Sequence, residues 1–250
     1  MTATKQPLTK LKRATLFGID TNAKTKKGVK FNYMTAILYL APAQESKAIN
    51  VCKYASEGCK AACLYTAGRG KMPSVYNARI QKTLEFAADP KGFIEQLALD
   101  IAKAVKKAKN KGAIPCIRLN GTSDLPFEIM GGHEKKNLML RFPDVQFYDY
   151  TKDPSKAIKF AKGLMPSNYH VTFSKSECNL PDVKKVLKAG GNVAVVFSGK
   201  LPAKYLGFPV VSGDDSDLRF LDTQGVIVGL TAKGDAKGDT SGFVVKGDAS

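Results

Sequence analysis

The feature that most restricts the fold is a succession of short strand-like runs, nearly every one of which stops in a cluster of polar residues. The runs occupy residues 36–41, 114–120, 145–151, 169–174, 192–197, 209–212 and 226–231. The first, residues 36–41, is continuously apolar and suits a strand buried on both faces. Helical patterns fall between the runs. Residues 74–88 and 91–109 both read as helix, and in the second Phe93, Ile94, Leu97, Ile101 and Val105 form one apolar stripe. Asp89 can cap that helix, Pro90 suits its first turn, and Asn110-Lys111-Gly112 supplies a stop. Asp153-Pro154 and Pro181 open two more helices after the runs that end at Thr151 and Ser174. Strands alternating with right-handed crossover helices predict an α/β fold, a partial or complete β/α barrel of the TIM type with about six to eight units. No dinucleotide fingerprint supports a doubly wound sheet. Residues 1–33 are lysine-rich without periodicity and are expected to form a mobile basic N-terminal arm, with a single barrel domain over residues 34–250.

The positions of the polar residues carry the functional reading. The runs end in Asn120-Gly121-Thr122-Ser123-Asp124, Asp149-Tyr150-Thr151-Lys152, Ser174-Lys175-Ser176-Glu177, Asp214-Asp215 and Thr231-Ala232-Lys233. In a β/α barrel the carboxyl ends of all strands share one rim, where barrel active sites lie. Any single cluster reads equally well as the cap of the following helix. Five clusters together, with Lys152, Glu177 and Lys233 poor as caps, point to a ligand-binding mouth. Its candidate residues are Asn120, Ser123, Asp124, Asp149, Lys152, Ser176, Glu177 and Lys233. His170, Thr172 and Ser174 share one strand face, and Tyr148 and Tyr150 read either as stacking platforms for a base or as packing residues.

A chain of 250 residues builds a core without staples, so its five cysteines are available for chemistry. No apolar run approaches the roughly 20 residues that span a bilayer, and the N-terminus lacks the apolar segment of a secretion signal. A cytoplasmic protein with no membrane association is therefore expected, and in such a reducing compartment clustered cysteines serve as ligands more often than as disulfides. The net charge is +17 and is concentrated in the first 110 residues. A basic half of this kind fits contact with nucleic acid through counterion release, although Lys103, Lys106, Lys107 and Lys109 also read as the solvated face of a helix.

Cys52, Cys59 and Cys63 fall within twelve residues soon after the first apolar run, hence at the expected rim, in a loop spanning residues 51–70. Three ligands is the informative number. Structural zinc takes four, and the only histidines, His133 and His170, lie elsewhere. A 4Fe-4S cluster held by three cysteines leaves one iron open to an exogenous ligand. Zinc and free buried thiols remain the alternatives. Cys116 lies near the start of its run, about 13 Å of extended chain from the rim, and reads as core. Cys178, just beyond a run, is the one candidate for a fourth ligand. No phosphate loop, HExxH helix or GxSxG elbow occurs, and the Lys-Gly-Asp repeats of the tail read as turns.

The segments GCKAACLYTAGRG, RLNGTSDLP, FYDYTKD, YHVTFSKSE and GDDSDLRFLD resemble the gene-product-eighty-eight-like family of bacteriophage proteins, from about Asn22 to Val245. That family is similar, more loosely, to radical S-adenosylmethionine enzymes, which place a three-cysteine loop after the first strand of a partial β/α barrel. The resemblance implies a phage protein of the host-cell cytoplasm, with Cys52, Cys59 and Cys63 holding a 4Fe-4S cluster and S-adenosylmethionine as a possible cofactor. The spacing here, six residues and then three, is wider than in the radical-enzyme loop, and Asn120-Gly121-Thr122-Ser123-Asp124 stands where a glycine-glycine-glutamate cofactor motif would fall. A non-catalytic nucleic-acid-binding protein with a structural cluster, or a zinc module, are the competing expectations.

Overall fold

The computed structural model describes residues 15–20 and 23–247. Ten strands form one sheet: β1 (Phe17–Ile19), β2 (Tyr33–Leu38), β3 (Ile114–Arg118), β4 (Gln146–Thr151), β5 (Tyr169–Ser174), β6 (Val193–Ser198), β7 (Lys204–Tyr205), β8 (Phe208–Ser212), β9 (Ile227–Thr231) and β10 (Val245–Lys246). The helices are α1 (Ala23–Gly28), α2 (Glu57–Ala61), α3 (Pro73–Ala88), α4 (Pro90–Asn110), α5 (Leu138–Arg141), α6 (Pro154–Ala161) and α7 (Leu180–Lys188). The expected apolar runs and the two long helices appear within a few residues of their sequence bounds. Asp89 caps α4 by accepting from Gly92 N–H, and Asp153 caps α6 by accepting from Ser155 and Lys156.

The strand order is β1-β2-β3-β4-β5-β6-β9-β8-β7, with β10 pairing in parallel on β6. From β2 to β6 each strand lies parallel to its predecessor in sequence. Connections between neighbouring parallel strands are right-handed as a rule, which lays the connecting helices on one face. There α4 packs on β2 and β3, α6 on β4 and β5, and α7 on β5 and β6. The core of that layer holds Leu38, Leu97, Ile101, Ile117, Leu119, Phe147 and Val171, all essentially inaccessible to solvent.

Side chains alternate along a strand, so the second face receives Thr35, Cys116, Arg118, Tyr148, Tyr150, His170 and Thr172. Segment 216–222 covers this face, with Leu218 packed against Cys116 and Tyr148, and Phe220 against Tyr33 and Tyr148.

One expectation needs correction, and another is not confirmed. A complete barrel does not form, because the sheet is an open path. Its first edge is taken by β1, which runs antiparallel to β2, and its other end turns back in the antiparallel pair β7–β8. Closure needs the first and last strands to meet. The expected mobile arm over residues 1–33 is not confirmed where it is described. Leu16 and Phe17 are buried, Leu16 N–H donates to Asp100 Oδ2 at 2.8 Å, and Lys27 Nζ donates to the Asp214 carbonyl at 2.8 Å. A three-residue strand has no readable period, so its docking left no trace in the sequence pattern. The remainder of the expected arm, residues 1–14 and 21–22, lies outside the described residues.

Candidate metal centre

The cysteine loop leaves the carboxyl end of β2 and is pinned where it begins. Val51 is fully buried, its N–H donates to the Ala43 carbonyl at 3.0 Å, and its carbonyl accepts from Asp124 N–H at 2.8 Å. The loop is thus fastened to the segment that leaves β3. Ser56 caps α2, accepting from Cys59 N–H at 3.2 Å. Cys59 therefore sits in the first turn of a short helix and Cys63 just beyond its last residue.

Cys52, Cys59 and Cys63 come from three different turns of this loop, and all three line one cavity of about 350 Å³. Pro42, Ala43, Asn50, Lys60 and Tyr65 complete much of its wall. Burial pushes the Cys52 thiol up to about 11, and the nearby Cys63, Asp124 and Cys59 push the same way. Burial also raises Cys63, as does Cys59, against the positive charges of Lys152 and Arg79. Each thiolate thus makes its neighbour harder to ionise, as expected of sulfurs that face a common space. A bound cation reverses that balance, because coordination deprotonates thiols outright. The donor set fits a soft metal centre. Among the described residues, however, no group of three or more His, Cys, Asp or Glu side chains is placed to hold a metal ion.

The other two cysteines are placed differently. Cys116 is fully buried beneath segment 216–222, with its sulfur 3.2 Å from Thr35 Oγ1, and is core as expected. Cys178 is exposed, 3.6 Å from Ser176 Oγ, and is not among the residues that line the cavity.

The eight residues expected to orient a ligand form several internal networks. Asp149 accepts from Asn120 N–H at 2.7 Å and from Tyr169 Oη at 3.1 Å, while Asn120 Oδ1 accepts from Ser123 Oγ at 2.8 Å and Leu125 N–H at 2.9 Å. Burial raises Asp149 to about 6, against Lys156 and the Asn120 N–H. Asp124 accepts from Thr151 Oγ1 and Lys152 N–H, bracing the end of β4. Lys152 Nζ donates to Ser174 Oγ at 2.9 Å and lies 5.5 Å from the Phe243 ring. Ser176 N–H donates to Asn179 Oδ1, and exposed Lys233 pairs with Asp214 at 2.7 Å. These residues knit the strand ends to one another.

Besides the Asp124 N–H on Val51, Glu177 reaches the cysteine loop with its carboxylate. Its carboxylate accepts from Ser56 Oγ at 2.7 Å and Gly58 N–H at 2.8 Å, tying the start of α2 to the end of β5. Burial works against its charge, yet these hydrogen bonds hold Glu177 below the usual carboxylate range. A Cβ at Gly58 would collide with Ser241 Oγ and stand 2.8 Å from the Glu177 carboxylate, so only glycine fits there. Glu177→Ala is expected to cost about 1–2 kcal/mol, the scale of a partly exposed charged hydrogen bond. It should also open residues 56–63 to proteolysis before the rest of the chain. Cleavage that begins elsewhere would show that Glu177 does not hold the loop.

Two further contributors lacked a sequence signal. Ala232, Ala236 and Phe243, in the turn-rich tail, pack against Ala62 and Cys59 and so back the cysteine loop. Arg79, on the inner face of α3, is buried close to the cavity wall. The exposed lysines 106, 107 and 109 stand at the end of α4 that leads into β3, the opposite edge of the sheet from the cysteines. A nucleic acid met there would not touch the cavity. Among the described residues, no helix is long and apolar enough to cross a membrane.

No curated protein and no solved structure matches the chain. The family model for Gene product 88 matches residues 9–247, nearly the whole length, and the chain belongs to that bacteriophage family.

Proposed function

We propose that the protein is an iron-sulfur protein that holds a 4Fe-4S cluster through Cys52, Cys59 and Cys63. The observation that carries this reading is the convergence of three thiols, from separate turns of a twelve-residue stretch, on one cavity. Structural zinc takes four protein ligands, whereas a cluster held by three thiolates keeps one iron open, so three cysteines suit the cluster better than the ion. Bound there, the cluster supplies a one-electron redox couple and an iron without a protein ligand, to which an exogenous group such as S-adenosylmethionine binds in enzymes of the radical type. This chain's own residues fasten the loop at its two ends through Val51 and Glu177. The sequential parallel strands are read as a partial β/α barrel with this rim as its mouth, working in the host-cell cytoplasm where thiols stay reduced.

Anaerobic purification and reconstitution with iron and sulfide, followed by metal analysis and visible spectroscopy, tests the proposal. Wild-type protein is expected to take up four irons per chain, the complement of one such cluster, with broad visible absorption. Cys52→Ser, Cys59→Ser and Cys63→Ser should each lower iron retention by more than the roughly tenfold cost of losing a supporting contact. Cys116→Ser and Cys178→Ser should leave it unchanged. A colourless wild-type protein carrying zinc, or full iron retention in the Cys63 variant, would overturn the reading. Cofactor cleavage under reducing conditions then separates an enzyme from a structural cluster protein.

A further inference from the structure

Arg79 is 8 % exposed, yet among the described residues no acceptor bonds its Nε or Nη1 and no carboxylate pairs with it. Its guanidinium lies over the Tyr39 ring, 4.9 Å from the centroid. A buried guanidinium with no acceptor at Nε or Nη1 and no paired carboxylate is a poorly compensated charge, which proteins rarely keep.

Its neighbours show which way it faces. Tyr76, Arg79 and Thr83 follow one another on the inner face of α3. Tyr76 packs on Tyr65, a wall of the cysteine cavity, with ring centroids 6.3 Å apart. Thr83 Oγ1 accepts from Ala41 N–H at 2.8 Å, and the next residues, Pro42 to Glu45, form the facing wall. Arg79 therefore lies between the end of β2 and the cavity, and both it and Lys152 act electrostatically on Cys63.

We propose that Arg79 is the counter-charge for an anionic iron-sulfur cluster held by Cys52, Cys59 and Cys63, and that it favours the cluster's reduced form. The inference rests on the cluster assignment above. Three thiolates outweigh the positive charge of the oxidised cluster core, and reduction adds one more negative charge. A fixed cation in a poorly solvated wall attracts the reduced form more strongly and so raises the potential. In cluster-free protein the same cation has no partner, so its removal relieves a cost.

Arg79→Met and Arg79→Lys in the full chain, with and without reconstitution, supply the test. Redox titration followed by electron paramagnetic resonance is expected to find the Met variant with an about tenfold lower ratio of reduced to oxidised cluster at the wild-type midpoint, equivalent to about 59 mV for one electron. The Lys variant should stay near wild type. Cluster-free Arg79→Met should melt at or above the wild-type temperature. Equal potentials in wild type and Arg79→Met, or a cluster-free Met variant that melts well below wild type, would reduce Arg79 to a packing residue and overturn the inference while leaving the cluster assignment intact. A wild-type protein that takes up no cluster would end both.

Discussion

Asp217→Ala is expected to lower stability by about 3–5 kcal/mol, the range for removing one partner of a buried ion pair. Asp217 is nearly inaccessible, accepts from Arg118 Nη1 at 3.2 Å and Tyr148 Oη at 2.9 Å, and belongs to segment 216–222 over the second face of the sheet. Its removal strands the Arg118 guanidinium, which stacks 4.7 Å from the Tyr150 ring and, among the described residues, pairs with no other carboxylate. The tyrosine hydroxyl also loses its acceptor in a dry environment. Arg118→Met alone should be costly for the converse reason. The double variant should recover much of the loss, since neither charge is then left buried alone. Urea denaturation of the four proteins gives the coupling energy directly. A penalty below about 1 kcal/mol for Asp217→Ala would mean the pair behaves as a solvent-exposed one, and that the segment does not seal this face.

That segment marks where sequence reasoning stopped. The parallel strands were legible because a segment such as residues 169–174 is short, rich in aromatic and β-branched residues and set off by turn signals, and α4 because its stripe recurs at helical spacing. Residues 216–222 and 232–244 have neither period. They are held by single anchors, Leu218 and Phe243, whose positions in an irregular segment look like chance. The edges were hidden for a related reason, since three residues of β1 suffice to occupy the side of β2 that a closed barrel would use.

The site was legible in part. Three cysteines in one loop were visible, and they share a cavity. The polar residues at strand ends were visible too, but their roles were not. Asn120 or Asp124 carries the same signal whether it meets a ligand or the next loop, and both meet the next loop or strand. Arg79 was invisible for the opposite reason. An arginine in a helix ordinarily faces water, and its burial follows from how α3 lies along residues 39–45.

His170 gives the second large effect, and its sign is set by burial. The ring is 7 % exposed, edge-on to Phe160 with centroids 4.7 Å apart, and its Nε2 is 3.4 Å from Thr172 Oγ1. Burial, with the positive charge of Arg219, pushes it down to about 4, against 6.5 for the free side chain. As pH falls from 6.5, the unfolded chain therefore takes up the proton first and the folded protein loses stability. The contribution is fully present above pH 6.5 and is lost as pH approaches 4. At about 1.4 kcal/mol per pH interval, some 2–3 kcal/mol disappears between pH 7 and pH 4.5. Asp149 and Asp222, both raised to about 6 chiefly by burial, act in the other direction, because the folded state protonates first at these carboxyls. Wild-type protein accordingly hides the histidine's effect in a shallow profile. His170→Gln exposes it: relative to wild type, the variant should gain about 2–3 kcal/mol between pH 7 and pH 4.5 in matched urea titrations. A difference that is the same at both pH values would mean that folding does not shift the histidine's ionisation, and hence that the face beneath residues 216–222 is wet.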